Sequence, residues 1–502
     1  MITAYTAAQI RAAERVAIDR DGDATLMRRA STAVASVVAE RLPHPLPGRS
    51  AVLLVGAGNN GGDALWAGAF LRRRGLAVTA LLLQPDRAHP AGLAALRRAG
   101  GRVLALDPGD PAPAPVRALL TSADAVIDGI VGLAARPPLR PGAAALVAAA
   151  NTSPALKVAV DLPSGIDPDT GATGPADDGD PVVFAADVTV TFGGVKTGLL
   201  LAADAMVSVG IGMEPDPGPA PDGTGSAERF AAAAAAVDAI ALTDADLRVL
   251  LPDPGAGADK FTDGLVGIVA GSPGYPGAAV LCTGGAVRTR PGMVRYAGAQ
   301  ATAVVARWPE VVAAADPSVA GRVQAWVIGP GMGTDAAAGE LLADVLRRDE
   351  PVLVDADGLT LLGEHPQWLS ERTARGAVTL LTPHDREFTR VFPDLPLDDR
   401  LTATRTAARR SGATVLLKGH RTIVADPHGT TVVNRSGSSW LATAGSGDVL
   451  SGVIGSLLAA GLPPVLAAGA GAFLHGRAGE RVHAAGEAGA QALWSHLRAA
   501  RV

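Results

Sequence analysis

Apolar positions along the chain change period. Behind Thr6, with Gln9 three residues on, Ile10, Ala13, Ala17 and Ile18 share one face at helical spacing, so the chain opens on an amphipathic helix with a capping box. From residue 51 short aliphatic runs alternate with helical segments. The runs at 51–55, 77–83, 102–106, 125–130, 157–161 and 188–191 predict strands. Continuous hydrophobic strands spaced by helices mean a parallel sheet covered on both faces. Pro, Gly and Asp without periodicity over 213–225 read as a linker, or as a long surface loop. An Ala-rich helical segment follows to about Leu242. Segment 250–262 leads into a second series, with strands predicted at 265–270, 325–329, 351–355, 377–382, 414–418 and 430–433. The halves share no obvious repeat, which makes two different α/β domains.

Composition narrows the classes. At roughly 150 residues per domain, 502 residues allow about three domains or two large ones. A net charge of −5 argues against a nucleic-acid binder. The single cysteine, Cys282, excludes an internal disulfide and a multi-Cys zinc site, and fits a cytoplasmic setting. Arg11, Glu14, Arg15, Asp19 and Arg20 break any signal-peptide core. The uncharged stretch 449–474 contains Gly461, Leu462, Pro463 and Pro464, so it reads as two buried helices around a tight corner and not as a membrane span. Aromatic residues at 3% predict cores of Ala, Val and Leu. Ala-rich helices allow close symmetric interfaces, and a homo-oligomer, tetramer or higher, is expected.

In such sheets ligands sit beyond the carboxyl ends of the strands. Run 51–55 leads into Gly56-Ala57-Gly58-Asn59-Asn60-Gly61-Gly62-Asp63, which contains G-x-G-x-x-G. A dinucleotide fold would also carry an acid at the tip of the second strand, but Leu83-Gln84 stands there. Glycines let backbone approach a ligand, and Asn59 and Asn60 add oxygens able to meet a cation. The string also reads as a tight turn using Asn for left-handed backbone. Asp128 and Ser164 end two further strands, so Asn60, Asp128 and Ser164 form a candidate hard-cation cluster; Asp161 is a candidate acid/base.

In the second half, Thr443-Ala444-Gly445-Ser446-Gly447-Asp448 places small residues and a carboxylate at a helix start. Backbone amides there would hold a transferring phosphoryl, and Asp448 would take a hydroxyl proton. Lys418-Gly419-His420-Arg421-Thr422, the loop Gly329–Gly333, Thr382-Pro383-His384 and Asp355-Ala356-Asp357 all fall at strand ends. The last could assist Mg²⁺ or start a helix.

These motifs carry a resemblance. GNNGGD, DGIVG and VDLPSGID, in order over about 1–215, resemble the NAD(P)H-hydrate epimerase family. The resemblance implies a Rossmann-like three-layer αβα domain and potassium bound by Asn60, Asp128 and Ser164. It also implies hydrate contacts from Asn59, Asn60, Gly61, Gly62 and Asp63, from Gly132, Leu133, Ala134, Ala135, Arg136, Pro137 and Pro138, and from Asp161. Ala64 replaces a usual glycine, and Leu133-Ala134-Ala135 replaces a usual Thr-Gly. GSPGYPGA, GPGMG, DADGL, TPH, LLKGHRT and LATAGSGDVL, over about 241–502, resemble the NAD(P)H-hydrate dehydratase branch of the ribokinase-like superfamily. That resemblance implies hydrate contacts from Ala278, Gly331, His384 and Asp448. It implies nucleotide contacts from Lys418, Gly419, His420, Arg421 and Thr422, and from Ser438, Ser439, Trp440, Leu441, Ala442, Thr443, Ala444, Gly445, Ser446 and Gly447. Asp385-Arg386 replaces a usual Pro-Gly. Residues 216–240 become linker and connecting helix.

The expected function is epimerisation of hydrated NADH or NADPH, then dehydration of the S form with ADP and Mg²⁺. Asp161 and Asp448 are the expected catalytic residues. A vitamin-alcohol kinase is the alternative, with the first domain a non-catalytic scaffold, but it leaves the first three motifs unexplained. Small-molecule substrates are expected, without nucleic acid or membrane partners.

Overall fold

The computed structural model describes residues 1–174, 181–213, 215, 226–253, 263–290 and 292–501. The chain forms two compact units, Thr3–Pro217 and Gly218–Val502, the second including Met1 and Ile2. Most of the linker expected over 213–225 and the segment 254–262 lie outside the described residues.

In the first unit, parallel strands lie in the order Arg102–Ala105, Ala77–Leu82, Ser50–Val55, Ala125–Gly129, Leu156–Val160, Val188–Phe192 and Met206–Val209. Every residue of Ala125–Gly129 and Val188–Phe192 is buried, which requires cover on both faces. The six runs read from the sequence become strands within a residue or two. Met206–Val209 was not legible, because it sits at the sheet edge half exposed. The opening helix is Ala7–Asp21, with Thr6 and Gln9 closing the capping box. Order along the sheet reverses between Ser50–Val55 and Ala125–Gly129, so the loops that leave these strands diverge and open a crevice.

The second unit places its strands in the order Val312–Ala314, Met293–Ala297, Leu265–Val269, Ala325–Ile328, Val352–Val354, Thr379–Leu381, Thr414–Leu417, Thr422–Ala425, Thr431–Asn434 and Ala239–Ala241. Pairing is parallel except on the two sides of Thr422–Ala425. The reversal here lies between Leu265–Val269 and Ala325–Ile328. One expectation is corrected: the Ala-rich helix stops at Ala235, and Ala239–Ala241 is a buried strand paired with Thr431–Asn434. Alanine favours helix locally, but burial in a paired strand outweighs that weak preference. Met213, taken as the start of the linker, is buried.

The stretch read as two helices is Ser446–Ala459 and Pro464–Ala484, with left-handed Gly461 at the corner. Among the described residues no helix is long and apolar enough to cross a membrane. Helix Ser446–Ala459 crosses Pro276–Val287 at glycines. A Cβ on Gly452 would sit 1.9 Å from the Cys282 carbonyl oxygen, and one on Gly285 would sit 2.2 Å from that of Val449. Backbone cannot yield as a side chain does. Gly452→Ala is therefore expected to cost about 1–3 kcal/mol or more, read as a lower denaturant midpoint.

Candidate functional site

At the first reversal, Gly58 in positive φ turns the chain into helix Asn59–Arg73. The glycines permit close chain crossings. A Cβ on Gly56 would lie 1.9 Å from the Ile130 carbonyl oxygen, and one on Gly129 would lie 2.5 Å from the Ala64 methyl. Ala64 thus fills the space that Gly129 leaves. Asn60 Nδ2 donates to the Val131 carbonyl at 2.7 Å. Asp128, fully buried, accepts from Ser164 N and Ser164 Oγ, both at 2.8 Å, and from Ile130 N at 3.1 Å. Burial pushes the Asp128 carboxyl up to about 6, against the pull of those hydrogen bonds. Among the described residues no cationic side chain pairs with it.

A cavity of about 350 Å³ opens beside this cluster. Asn59, Asn60, Asp63, Gly132, Leu133, Ala134 and Asp161 line it. Gly61 and Gly62 pack instead against the Gly56 carbonyl and the His89 ring. Ala135, Arg136, Pro137 and Pro138 line a second cavity of about 530 Å³, with Arg87 and Arg140. Ala57 and Ala134 border both.

Asp161 adopts a left-handed φ of 66°, rare for a residue with a side chain. Its carboxylate accepts from Thr191 Oγ1 at 3.2 Å and is ion-paired with Lys196, whose side chain is 1% exposed. Lys196 Nζ also reaches Thr191 Oγ1 and the Phe192 carbonyl. The sequence reading missed Lys196. A lysine in the aliphatic run after residue 192, where a buried cation needs a partner, was the available signal. Glu14, on the opening helix, also lines the cavity; burial, then the Asp161 charge, raises its carboxyl.

In the second unit, Gly445 at φ 85° starts helix Ser446–Ala459. Beside it lies a cavity of about 800 Å³. His384, Lys418, Gly419, His420 and Thr422 line it on one side. Ser438, Ser439, Leu441, Ala442, Thr443, Ser446 and Gly447 line it on the other. Of the expected nucleotide contacts, Trp440 is exposed and stacks on His483, and Arg421 donates to the Arg435 carbonyl. Gly445 packs towards Leu281.

Lys418 Nζ bonds Asp355 at 2.8 Å and lies 3.5 Å from Glu387. Burial pulls the ammonium down, but the two carboxylates together raise it. Ser451 Oγ donates to Asp355 at 2.6 Å. Asp448, in the first helical turn, is pushed up to about 7 by burial and then by the Asp355 charge, with Lys418 opposing. Ala278 and Gly331 meet across the sheet reversal, where a Cβ on Gly331 would lie 2.7 Å from the Ala278 methyl.

The Asp385-Arg386 departure has a structural outcome. His384 Nδ1 accepts from Arg386 N and Glu387 N, and the Glu387 carboxylate accepts from His384 N, which starts helix Asp385–Val391. Asp385 pairs with Arg400 at 2.5 Å, and Arg400 also donates to the Lys418 carbonyl.

Two family models match the chain: "YjeF-related protein N-terminus" over residues 23–198 and "NAD(P)H-hydrate dehydratase" over 266–497. The bifunctional NAD(P)H-hydrate repair enzyme Nnr of Mycobacterium leprae is 48% identical over 84% of this chain and 81% of its own. That of Mycobacterium tuberculosis is 47% identical with the same coverage, and that of Corynebacterium glutamicum is 38% identical over 84% and 80%. The chain belongs to the bifunctional NAD(P)H-hydrate repair enzyme family. Within this repair-enzyme chain, the first matched segment holds Asn60, Asp63, Asp128, Asp161, Ser164 and Lys196, and the second holds Ala278, Gly331, His384, Lys418 and Asp448.

Proposed function

We propose that this chain repairs hydrated nicotinamide dinucleotides with two activities. The first unit interconverts the R and S hydrates of NADH or NADPH. The second dehydrates the S form at the expense of ADP, giving the reduced dinucleotide, AMP and phosphate. The observation that carries the reading is similarity to bifunctional relatives across both units, with Asp161 lining a cavity of the first and the buried Asp448 carboxyl in the first turn of helix Ser446–Ala459 in the second. A vitamin-alcohol kinase would account for the second unit alone.

In the first unit the hydrate's hydroxyl-bearing carbon, bonded to the ring nitrogen, would lie in the cavity beside Asp161. Lys196 fixes that carboxylate, and Glu14, Leu133 and Met27 wall the cavity. Asn60, Asp128 and Ser164 suit potassium, because Asp128 is a buried carboxylate with oxygen neighbours and no cationic side-chain partner among the described residues. Potassium held there would supply the positive charge that the buried carboxylate lacks.

In the second unit the amides opening helix Ser446–Ala459 would hold the transferring phosphoryl. Asp448 would take the proton of the hydrate's hydroxyl as oxygen attacks phosphorus. Phosphate, a better leaving group than hydroxide, then departs. Asp355 is already engaged by Lys418 and Ser451, and Asp357 accepts from Gly333 N at 2.9 Å. Asp355 and Asp357 are the carboxylates that would hold magnesium, which would supply positive charge against the nucleotide's phosphates.

The test is direct. Mixed R and S hydrates of NADH, incubated with Mg²⁺ and either ADP or ATP, should regain the full absorbance of reduced nicotinamide with ADP. Recovery that stops at the S fraction would remove the epimerase assignment. Absence of recovery with either nucleotide would remove the dehydratase.

A further inference from the structure

A dinucleotide has two ends, and only one of them reacts. In the first unit the cavity of about 350 Å³ beside Asp161 meets the second, of about 530 Å³, at Ala57 and Ala134. The two differ in charge. Glu14, Asp23, Asp63 and Asp161 line the first, and its cations are engaged, Arg11 by the Leu133 carbonyl and Lys196 by Asp161. A phosphate placed there would face acceptors like itself. Arg87, Arg136 and Arg140 line the second cavity, against one lining carboxylate, Asp107, which accepts from Gly109 N at 2.9 Å. Arg87 Nη1 reaches the Gln84 side chain at 3.4 Å, and Arg136 Nη1 donates to the Ala135 carbonyl at 2.7 Å. Among the described residues none of the three arginines makes an ion pair with an acidic side chain.

Strand order separates the two ends. On one side of Ser50–Val55 lie Ala77–Leu82 and then Arg102–Ala105, and residues just after both of these strands line the second cavity. In sheets of this order a dinucleotide lies across the reversal, and an acid at the tip of the second strand takes the hydroxyls of the adenosine ribose. Here Gln84 stands at that tip, with Arg87 three residues on. An acid would repel a phosphate on the ribose 2′ oxygen, whereas a neutral amide followed by a guanidinium admits and binds one. Arg140, at the N-cap of helix Pro141–Asn151, brings a second guanidinium to the same cavity. Leu83, Leu106, Ile130 and Leu139 supply apolar wall for a base.

We propose that the second cavity seats the adenosine end of the hydrate, with Arg87 and Arg140 binding its 2′-phosphate, so that the first unit selects NADPH hydrate over NADH hydrate. The proposal rests on reading the first unit as an epimerase. The pyrophosphate then crosses at Ala57 and Ala134, and the hydroxyl-bearing carbon reaches the cavity of Asp161. The 2′-phosphate and the reacting carbon belong to opposite ends of the substrate. Contacts to that phosphate therefore hold substrate and transition state alike, and they show in KM and not in kcat.

The experiment measures R-to-S conversion of NADPH hydrate and of NADH hydrate separately, for the full chain and for Arg87→Met, Arg140→Met and the double variant. The wild type should favour NADPH hydrate by about 10–100-fold in kcat/KM, the range of one or two charge-assisted contacts. Each single variant should lower that ratio about 3–10-fold through KM, and the double variant should abolish the preference. Adenosine 2′,5′-bisphosphate should inhibit the wild-type conversion more strongly than adenosine 5′-diphosphate does, and the double variant should lose that difference. Equal use of both hydrates by the wild type, a loss shared by both hydrates in the variants, or a change confined to kcat would each overturn the proposal. A wild-type chain inert towards both hydrates would instead sink the epimerase reading. Calorimetric titration with adenosine 2′,5′-bisphosphate then decides the cavity: weaker binding by the double variant upholds the subsite, and binding retained in full overturns it.

Discussion

Asp448→Asn is expected to reduce ADP-dependent dehydration by about 10²–10⁴-fold, the usual contribution of a positioned proton acceptor. Asparagine keeps the size of the side chain at the first turn of Ser446–Ala459 but has no basic oxygen. The pH dependence follows from the same group. Burial and the Asp355 charge push Asp448 up to about 7, and the form that accepts a proton is the deprotonated one. kcat/KM for dehydration should therefore fall as pH drops through about 7, and Asp448→Asn should lack that fall. Lys418 opposes the upward shift, so Lys418→Met should move the fall to higher pH. A series of initial rates across pH, with the S hydrate and ADP, measures all three. An Asp448→Asn enzyme within a few-fold of wild type would remove Asp448 from the chemistry.

Lys196→Met carries the second large effect, and it falls on stability as well as activity. The ammonium is sealed from water and is held by Asp161, Thr191 and the Phe192 carbonyl. Removing it strands a largely buried carboxylate, which costs about 3–5 kcal/mol when a buried pair loses one partner. The Asp161 carboxyl then loses the partner that positions it, and epimerisation should be lost. Removing both charges is a milder change. Lys196→Met combined with Asp161→Asn should recover much of the lost stability without recovering activity. Asparagine suits the site because it tolerates left-handed backbone. Equilibrium unfolding of the wild type, Lys196→Met, Asp161→Asn and the double variant gives the coupling. If the double variant is no more stable than Lys196→Met, the pair is not what holds this corner.

The two clefts differed in how far the chain disclosed them. Glycine strings at strand ends mark chain crossings, and a crossing such as Gly56 over Ile130 or Gly129 over Ala64 needs the missing side chain whatever the wider fold. Such strings could be read directly. The loop of residues 132–138 read as one contact segment, yet its halves line different cavities. Segment 236–242 read as helix because alanine says little about its neighbours, whereas pairing with Thr431–Asn434 supplied a buried ladder.

From the amino-acid order alone came two α/β units, the aliphatic strands with their sequence, the capped opening helix, the paired helices around Gly461 and the acids Asp128, Asp161 and Asp448 at strand or helix ends. All of these follow from local periodicity, turn chemistry and the positions of charges in apolar runs. Charge state and partnership were decided only by the tertiary fold. Lys196 meets Asp161 across 35 residues, Lys418 meets Asp355 across 63, and Ser31 meets Asp63 across 32. Whether a carboxyl group is paired, protonated or left for a cation depends on burial and on what lies within a few ångströms, which are properties of packing and not of neighbours in the chain.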